Sequence, residues 1–235
     1  MPADAVDEYV RIAETTAIKS LKRFCQAIIH VFGDEYLRSP NQDDVERLLV
    51  VGEQRGFPGM LGSLDCMHWN WKNCPTAWQG QYTGKEMSPT IVLEAVASYD
   101  LWIWHAFFWN ARIPQRYQRP GQVSAFRRAA ERSGTCRNVQ GQWPRVPNGI
   151  FPRGWHLSPL VQTISQPQGV KKKHFATMQE AVRKDVERAF GVLQARFAIV
   201  SGPARFWRKE DMSDIMTACI ILHNMIVEDE REFTN

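Results

Sequence analysis

PTIVLEAVASYDLWIWHAFF, residues 89–108, decides the fold. Its first half alternates and is rich in Val and Ile. SYD then runs straight into LWIW, which predicts two strands joined by a tight hairpin. Upstream, MLGSLDCMHW (60–69) reads as a third strand carrying one acid, Asp65. Three successive strands of this kind predict the start of a mixed sheet in an α/β fold. Around them lie helical patterns. Val6, Tyr9, Val10, Ala13, Ala17, Leu21, Phe24, Ile28 and Val31 recur at three-and-four spacing, an apolar stripe on a helix with Thr15 and Thr16 as candidate break points and Gly33 as a candidate C-cap. A second helix fits 43–53, closed by Gly56 and Pro58. Phe175, Met178, Val182, Val186, Phe190, Leu193 and Phe197 mark a long amphipathic helix, and 213–228 a buried one.

Between these two bodies of sequence the texture breaks. Residues 109–161 hold nine Arg, no Lys, six Pro and one acid, Glu131. The chain has a formal charge of +4, and this segment alone contributes +8, so the remainder is about −4. The basic balance is thus local and says little about nucleic acid. Five cysteines without a C-x-x-C pair predict reduced thiols in an intracellular protein. No signal peptide is visible. No apolar run approaches the roughly 18 residues of a membrane helix; MTACIILHNMIV is shorter and is interrupted by His223 and Asn224.

The chemistry-bearing residues each have an ordinary reading beside a functional one. Asp65 is a metal ligand or a strand-end turn residue. Glu187, in KDVERAFGVLQ, flanks the apolar stripe of its helix, where acids are usually solvated. Cys66, His68 and Cys74 invite zinc, but C-x-H-x5-C lacks a fourth ligand at a familiar spacing. His223 reads as a core histidine with a hydrogen-bond partner, and Trp69, Trp71 and Trp78 as packing residues rather than base-stacking platforms. VKKKHF and RKDVER are solvated charge, or the flank of a groove that neutralises phosphates.

Longer strings add a resemblance. RGFPGMLGSLDCMHWNWKNCPTAWQGQYTG, PTIVLEAVASYDLWIWHAFF, KDVERAFGVLQARFAIV and FWRKEDMSDIMTACIILHNMIVEDER resemble the plant PIF/Harbinger-type transposases and their domesticated nuclease relatives. The resemblance implies a ribonuclease-H-like mixed sheet preceded by N-terminal helices. It also implies a site of two Asp and one Glu holding two Mg²⁺ or Mn²⁺ ions, which activate water or a 3′-hydroxyl. Asp65 matches the first Asp and Glu187 the Glu. The implied partners are DNA, as transposon ends, and a separate DNA-binding protein encoded by the same element, with no membrane; the implied compartment is the nucleus. Lys171, Lys172, Lys173 and Arg183 are the candidate DNA contacts.

The second Asp belongs in a strand reading roughly Leu-Ala-Asp-Gly-Ile-Tyr-Pro, next to the one bearing Asp65. Residues 109–161 contain no Asp. A one-base displacement of the reading frame before Trp109 accounts for this. Trp143–Pro144 and Trp155–His156 then each force a glycine, and GQWPRVPNGIFPRGWHLSPL permits a string ending Phe-Leu-Ala-Asp-Gly-Ile-Tyr-Pro-Arg-Trp. The Asp codon straddles Gly154 and Trp155, and the frame recovers near Gln162. The competing reading is a genuine basic, disordered insert. The expected organisation is 1–56 helical, 57–108 and 162–235 the two halves of the nuclease domain, and 109–161 an irregular, exposed segment that disrupts the central strand and helix. On this reading Asp65 and Glu187 face one another across a cleft, but a ligand is missing and the chain is a catalytically inactive remnant. The alternative is a non-enzymatic DNA- or protein-binding derivative.

Overall fold

The structure is a computed structural model, and it describes residues 11–83, 87–110, 139–140, 161–162, 164 and 166–232. Two helices lead, α1 (Glu14–Tyr36) and α2 (Gln42–Gln54), followed by β1 (Ser63–Asn70), α3 (Thr76–Tyr82), β2 (Thr90–Ala97) and β3 (Ile103–Asn110). Two-residue strands β4 (Val139–Gln140) and β5 (Val161–Gln162) precede the long α4 (Val170–Arg196), the single turn α5 (Ala198–Ser201) and α6 (Lys209–Glu232). The sheet order is β3-β2-β1-β4-β5.

Every described pairing in this sheet is antiparallel, where a mixed sheet was expected. The β2–β3 connection is a tight hairpin, which allows only antiparallel neighbours, and β1 pairs antiparallel with β2 although α3 lies in the longer segment that joins them. β4 touches β1 at a single register position, Ser63↔Gln140. The three long strands and the hairpin match the sequence reading, with β3 running two residues past Phe108. The irregularity expected of 109–161 lies outside the described residues, apart from 109–110, 139–140 and 161, which are strand.

β2 is buried along its whole length, including Glu94, because both of its neighbours and both of its faces are covered. One face packs Ile91, Leu93, Ala95 and Ala97 of β2 with Met67 and Trp69 of β1 against Val186, Ala189, Phe190 and Leu193 of α4. The same core takes in Met212, Ile215, Met216, Cys219 and Ile220 of α6 and Cys25 of α1. A smaller cluster joins Leu48 of α2, Val96, Trp102, Trp104 and Val227. α1 lies along α6, tied by Lys22 to Asp211 at 2.7 Å.

The helix boundaries have local causes. Asn41 and Asp44 make a reciprocal capping box at the start of α2. Gly33 does not end α1, contrary to expectation. The helix continues to Tyr36, and Leu37 closes it with an N–H bond to the Gly33 carbonyl, because Phe32 and Tyr36 extend the inward face and stack toward Trp102. α3 was missed by the sequence reading because TAWQGQY is too short and too polar to show a helical period.

The hairpin between β2 and β3 occupies 98–102, with Leu101 in the left-handed region at φ 70°. The Asp100 carboxylate fastens it. It accepts from the Ser98 hydroxyl, from Arg47 of α2 at 2.7 Å and from Arg231 of α6. His223 and Asn224, both fully buried in α6, reach the same corner. The Asn224 side chain donates to the Tyr36 and Ile103 carbonyls at 2.6 and 2.8 Å and accepts the Ile103 N–H at 2.9 Å. His223 Nε2 lies 2.9 Å from the Leu101 carbonyl, and its Nδ1 lies 3.3 Å from Arg196 Nη1. The carbonyl only accepts and the guanidinium only donates, so the ring is the neutral Nε2–H tautomer.

Asn224→Ala takes the partner from the buried N–H and C=O of Ile103, at about 1–3 kcal/mol each, and from the half-buried Tyr36 carbonyl. The expected loss in a urea titration is therefore at least about 2 kcal/mol; a variant within about 1 kcal/mol of the parent would refute the clamp. A pH dependence follows from the histidines. Burial, reinforced by Arg196, lowers the pKa of His223, and burial pushes His105 of β3 down to about 4. Both values lie below the unfolded pKa of about 6.5, so the unfolded chain takes up these protons first. Stability is fully present above pH about 6.5 and falls as the pH drops toward 4. The thermal midpoint should decline across that window, and His105→Leu should make the decline shallower; an unchanged slope would exclude His105 as a source.

Candidate functional site

Alternation along β1 puts Ser63, Asp65, Met67 and Trp69 on one face of the sheet. This is the face that α4 covers. Met67 and Trp69 share its core with Val186 and Leu193, and the Ser63 hydroxyl donates to the Val182 carbonyl at 2.8 Å. The chain enters β1 through Gly62, where a Cβ would sit 2.7 Å from the Ala97 carbonyl oxygen. Only glycine lets the two backbones pass so closely.

Asp65 therefore sits mid-sheet and half-buried. Its Oδ1 accepts the N–H of Cys66 at 2.8 Å, and its Oδ2 has no hydrogen bond among the described residues. Its cross-strand neighbour is Ala95, and the next strand places Ala106 beside that. Two small side chains thus form the floor next to the carboxylate. Among the described residues β4 meets β1 at Ser63, two residues from Asp65.

Glu187 lies on α4, which packs over this face, but on the solvent side of the helix. Its side chain is 41% exposed and pairs with Arg183 at 3.0 Å. The acid that α4 buries is Asp185, two residues earlier. Asp185 makes a two-pronged contact with Arg55 at 2.5 and 3.3 Å, and Arg188 stands 3.6 Å away. The sequence reading singled out Glu187 in KDVER and passed over Asp185. The available signal was its spacing from Val182 and Ala189, which puts it on the edge of the inward face.

The candidate basic residues are spread out. Lys171, Lys172 and Lys173 are exposed in the first turn of α4, where consecutive positions fan by about 100° each. Arg183 is roughly 18 Å further along the axis and is engaged with Glu187. Cys66 and His68 lie on the opposite face of β1 from Asp65, and the buried Cys74 thiol turns to the Pro75 carbonyl. Among the described residues no three His, Cys, Asp or Glu side chains group as metal ligands would. Trp69 and Trp71 are buried and donate their indole N–H groups to the Gly202 and Phe206 carbonyls, both at 2.8 Å. They strap the loop before α6 to the end of β1, so they are packing residues. Trp78 is 43% exposed and leans on Trp71. No helix of the described residues is long and apolar enough to cross a membrane.

Compared with known families, the chain matches the model described as plant transposon protein over residues 34–116 and 144–234. No curated protein matches it, and no solved structure does.

Asp185 and Arg55 join the turn after α2 to the helix that bears Glu187. Removing one partner of a buried pair costs about 3–5 kcal/mol, and Arg55 is 30% exposed, which places this pair at the low end. Asp185→Ala should lower the stability by about 3 kcal/mol in chemical unfolding. Exposed Glu187→Ala should shift it by less than about 0.5 kcal/mol. The reverse ranking would show that Asp185 is not the acid that anchors α4.

Proposed function

The chain belongs to the plant transposon protein family, and from that premise we propose that it is a remnant of a Harbinger-type transposase that no longer cleaves DNA. In this reading the β1–β3 meander and α4 are the two preserved flanks of a ribonuclease-H-like nuclease domain, divided as 57–108 and 162–235, with 1–56 as its helical preface. Asp65 and Glu187 are the surviving carboxylates. One observation carries the reading. Asp65 stands mid-sheet with no hydrogen bond to its Oδ2 among the described residues, on the face covered by the helix that bears Glu187.

When bound, paired Mg²⁺ or Mn²⁺ ions supply such a site with an activated nucleophile and a stabilised leaving oxygen. The donor set here does not fit them. Two carboxylates are one short of the family's three; Asp65 spends one oxygen on the Cys66 N–H, and Glu187 is paired with Arg183. Ions held roughly 3.5–4 Å apart need a bridging carboxylate as well as terminal ones. Asn148, in NGIFP, is no substitute, because an amide oxygen is a neutral and weaker ligand.

The missing Asp is attributed to the displaced reading frame of 109–161. The gap in the family match, 117–143, falls inside that segment, although both ends of the segment are covered. A nuclear protein acting on transposon ends, with a companion DNA-binding protein, is the ancestral setting. The rival reading is a DNA- or protein-binding derivative, favoured by the exposed Lys171, Lys172 and Lys173.

The test uses the purified chain with Mg²⁺ or Mn²⁺ on supercoiled, linear and nicked DNA. No strand cleavage is expected. A chain rebuilt in the displaced frame should cleave, and should lose this activity on Asp65→Ala or Glu187→Ala. Metal-dependent cleavage by the chain as it stands, abolished by Asp65→Ala, would overturn the proposal. Salt-sensitive DNA binding that Lys171→Ala/Lys172→Ala/Lys173→Ala weakens would favour the binding derivative.

A further inference from the structure

α1 presents two apolar faces, and the fold uses only one. Inward, Leu21, Cys25, Ile28 and Ile29 pack into the main core. Outward, Ser20, Phe24, Ala27 and Val31 follow at intervals of four, three and four residues, all exposed, and so lie in one narrow arc of the helix. Phe24 is 53% exposed and Val31 63%.

The charges beside this stripe run against the helix. A helix favours acids at its N-terminus and bases at its C-terminus. Here the first turn holds the favoured acid, Glu14, but Lys19 and Arg23 follow in the first half, while Asp34 and Glu35 close the last turn, which has no base. Arg23 and Asp34 flank the stripe on the same side, and neither has an ion pair or hydrogen bond among the described residues. Neither the core nor the helix dipole accounts for this arrangement. An antiparallel copy does.

We propose that the outward face of α1 is a self-association surface on which a second copy of this chain docks antiparallel. A two-fold axis between residues 27 and 28 sets Phe24 against Val31 of the second copy, and Val31 against its Phe24, as an isologous contact requires. Ala27 sits at the axis, where a small side chain lets the two helices approach. The same axis brings Arg23 near Asp34 of the second copy, with less than one helical turn of offset, and the pairing occurs twice. The stripe and its charges are thus self-complementary, which a surface built for an unrelated partner has no reason to be. A single helix pair buries less than the roughly 1,200 Å² of a permanent interface, so the dimer exchanges with monomer.

Sedimentation velocity on the full chain, from about 1 to 100 µM, reads this directly. The expected result is a concentration-dependent monomer–dimer equilibrium. Phe24→Glu should leave only monomer with an unchanged helical circular dichroism spectrum and thermal midpoint. Arg23→Asp should weaken dimerisation several-fold, and adding Asp34→Arg should recover it, which no merely structural role of either residue would do. A monomer at every concentration would overturn the proposal, as would a dimer that persists in Phe24→Glu or a charge swap that fails to restore association.

Discussion

A single buried amide sets the register of most of this fold. β3 is an edge strand, so Ile103 has a backbone N–H and C=O with no neighbouring strand to take them. The Asn224 side chain supplies one acceptor and one donor in the same geometry, and its second donor takes the end of α1 through the Tyr36 carbonyl. The edge is thereby closed by a helix instead of left open for another strand. His223, next in the chain, holds the carbonyl of Leu101, whose positive φ a branched aliphatic residue adopts only under constraint. Two consecutive polar residues in an otherwise apolar stretch of α6 therefore fix the hairpin, α1 and, through Arg196, the end of α4.

The sheet's other long boundary is managed differently. β1 is pinned to α4 through Ser63 and Val182, and α4 is held from the side by Asp185 and Arg55. These contacts fix the depth at which α4 crosses the sheet. They place Asp65 beneath the helix, and they leave Glu187 on the rim, where its partner is Arg183. The distinction between a buried acid and an exposed one, two residues apart, is one of helical phase. Their directions differ by about 200°, so a helix that buries one must expose the other.

How much of this was legible in the sequence depended on the length and purity of each pattern. The β2–β3 hairpin, the α4 stripe and the buried middle of α6 follow from periods sustained over many residues, and they stand where expected. His223 was readable as a core histidine because it interrupts an apolar run. Asn224 was visible for the same reason, yet its role was not, since its partners, Ile103 and Tyr36, lie far away along the chain. The end of α1 was misplaced because glycine propensity competes with burial, and Phe32 and Tyr36 on the inward face outweigh it. α3 was invisible because seven residues with only Ala77, Trp78 and Tyr82 apolar are too few to show a period. At the candidate site, Asp65 was singled out by its setting in an apolar strand and by the family resemblance, whereas Asp185 was overshadowed by Glu187, since motif position says nothing of helical phase against a sheet.

The core and the candidate site make different demands on the sequence. Among the described residues the main cluster joins β1 and β2 to α4 and α6, with Cys25 of α1 added from its packing along α6. Packing of this kind depends on summed apolar burial, which is spread over many side chains and tolerates the loss of a neighbour. A metal site has no such redundancy. In the proposed reading of Asp65 as a ligand, each further carboxylate must come from a particular backbone position beside it. In that reading a change confined to one segment removes a ligand outright, whereas apolar packing loses only a share of its contacts.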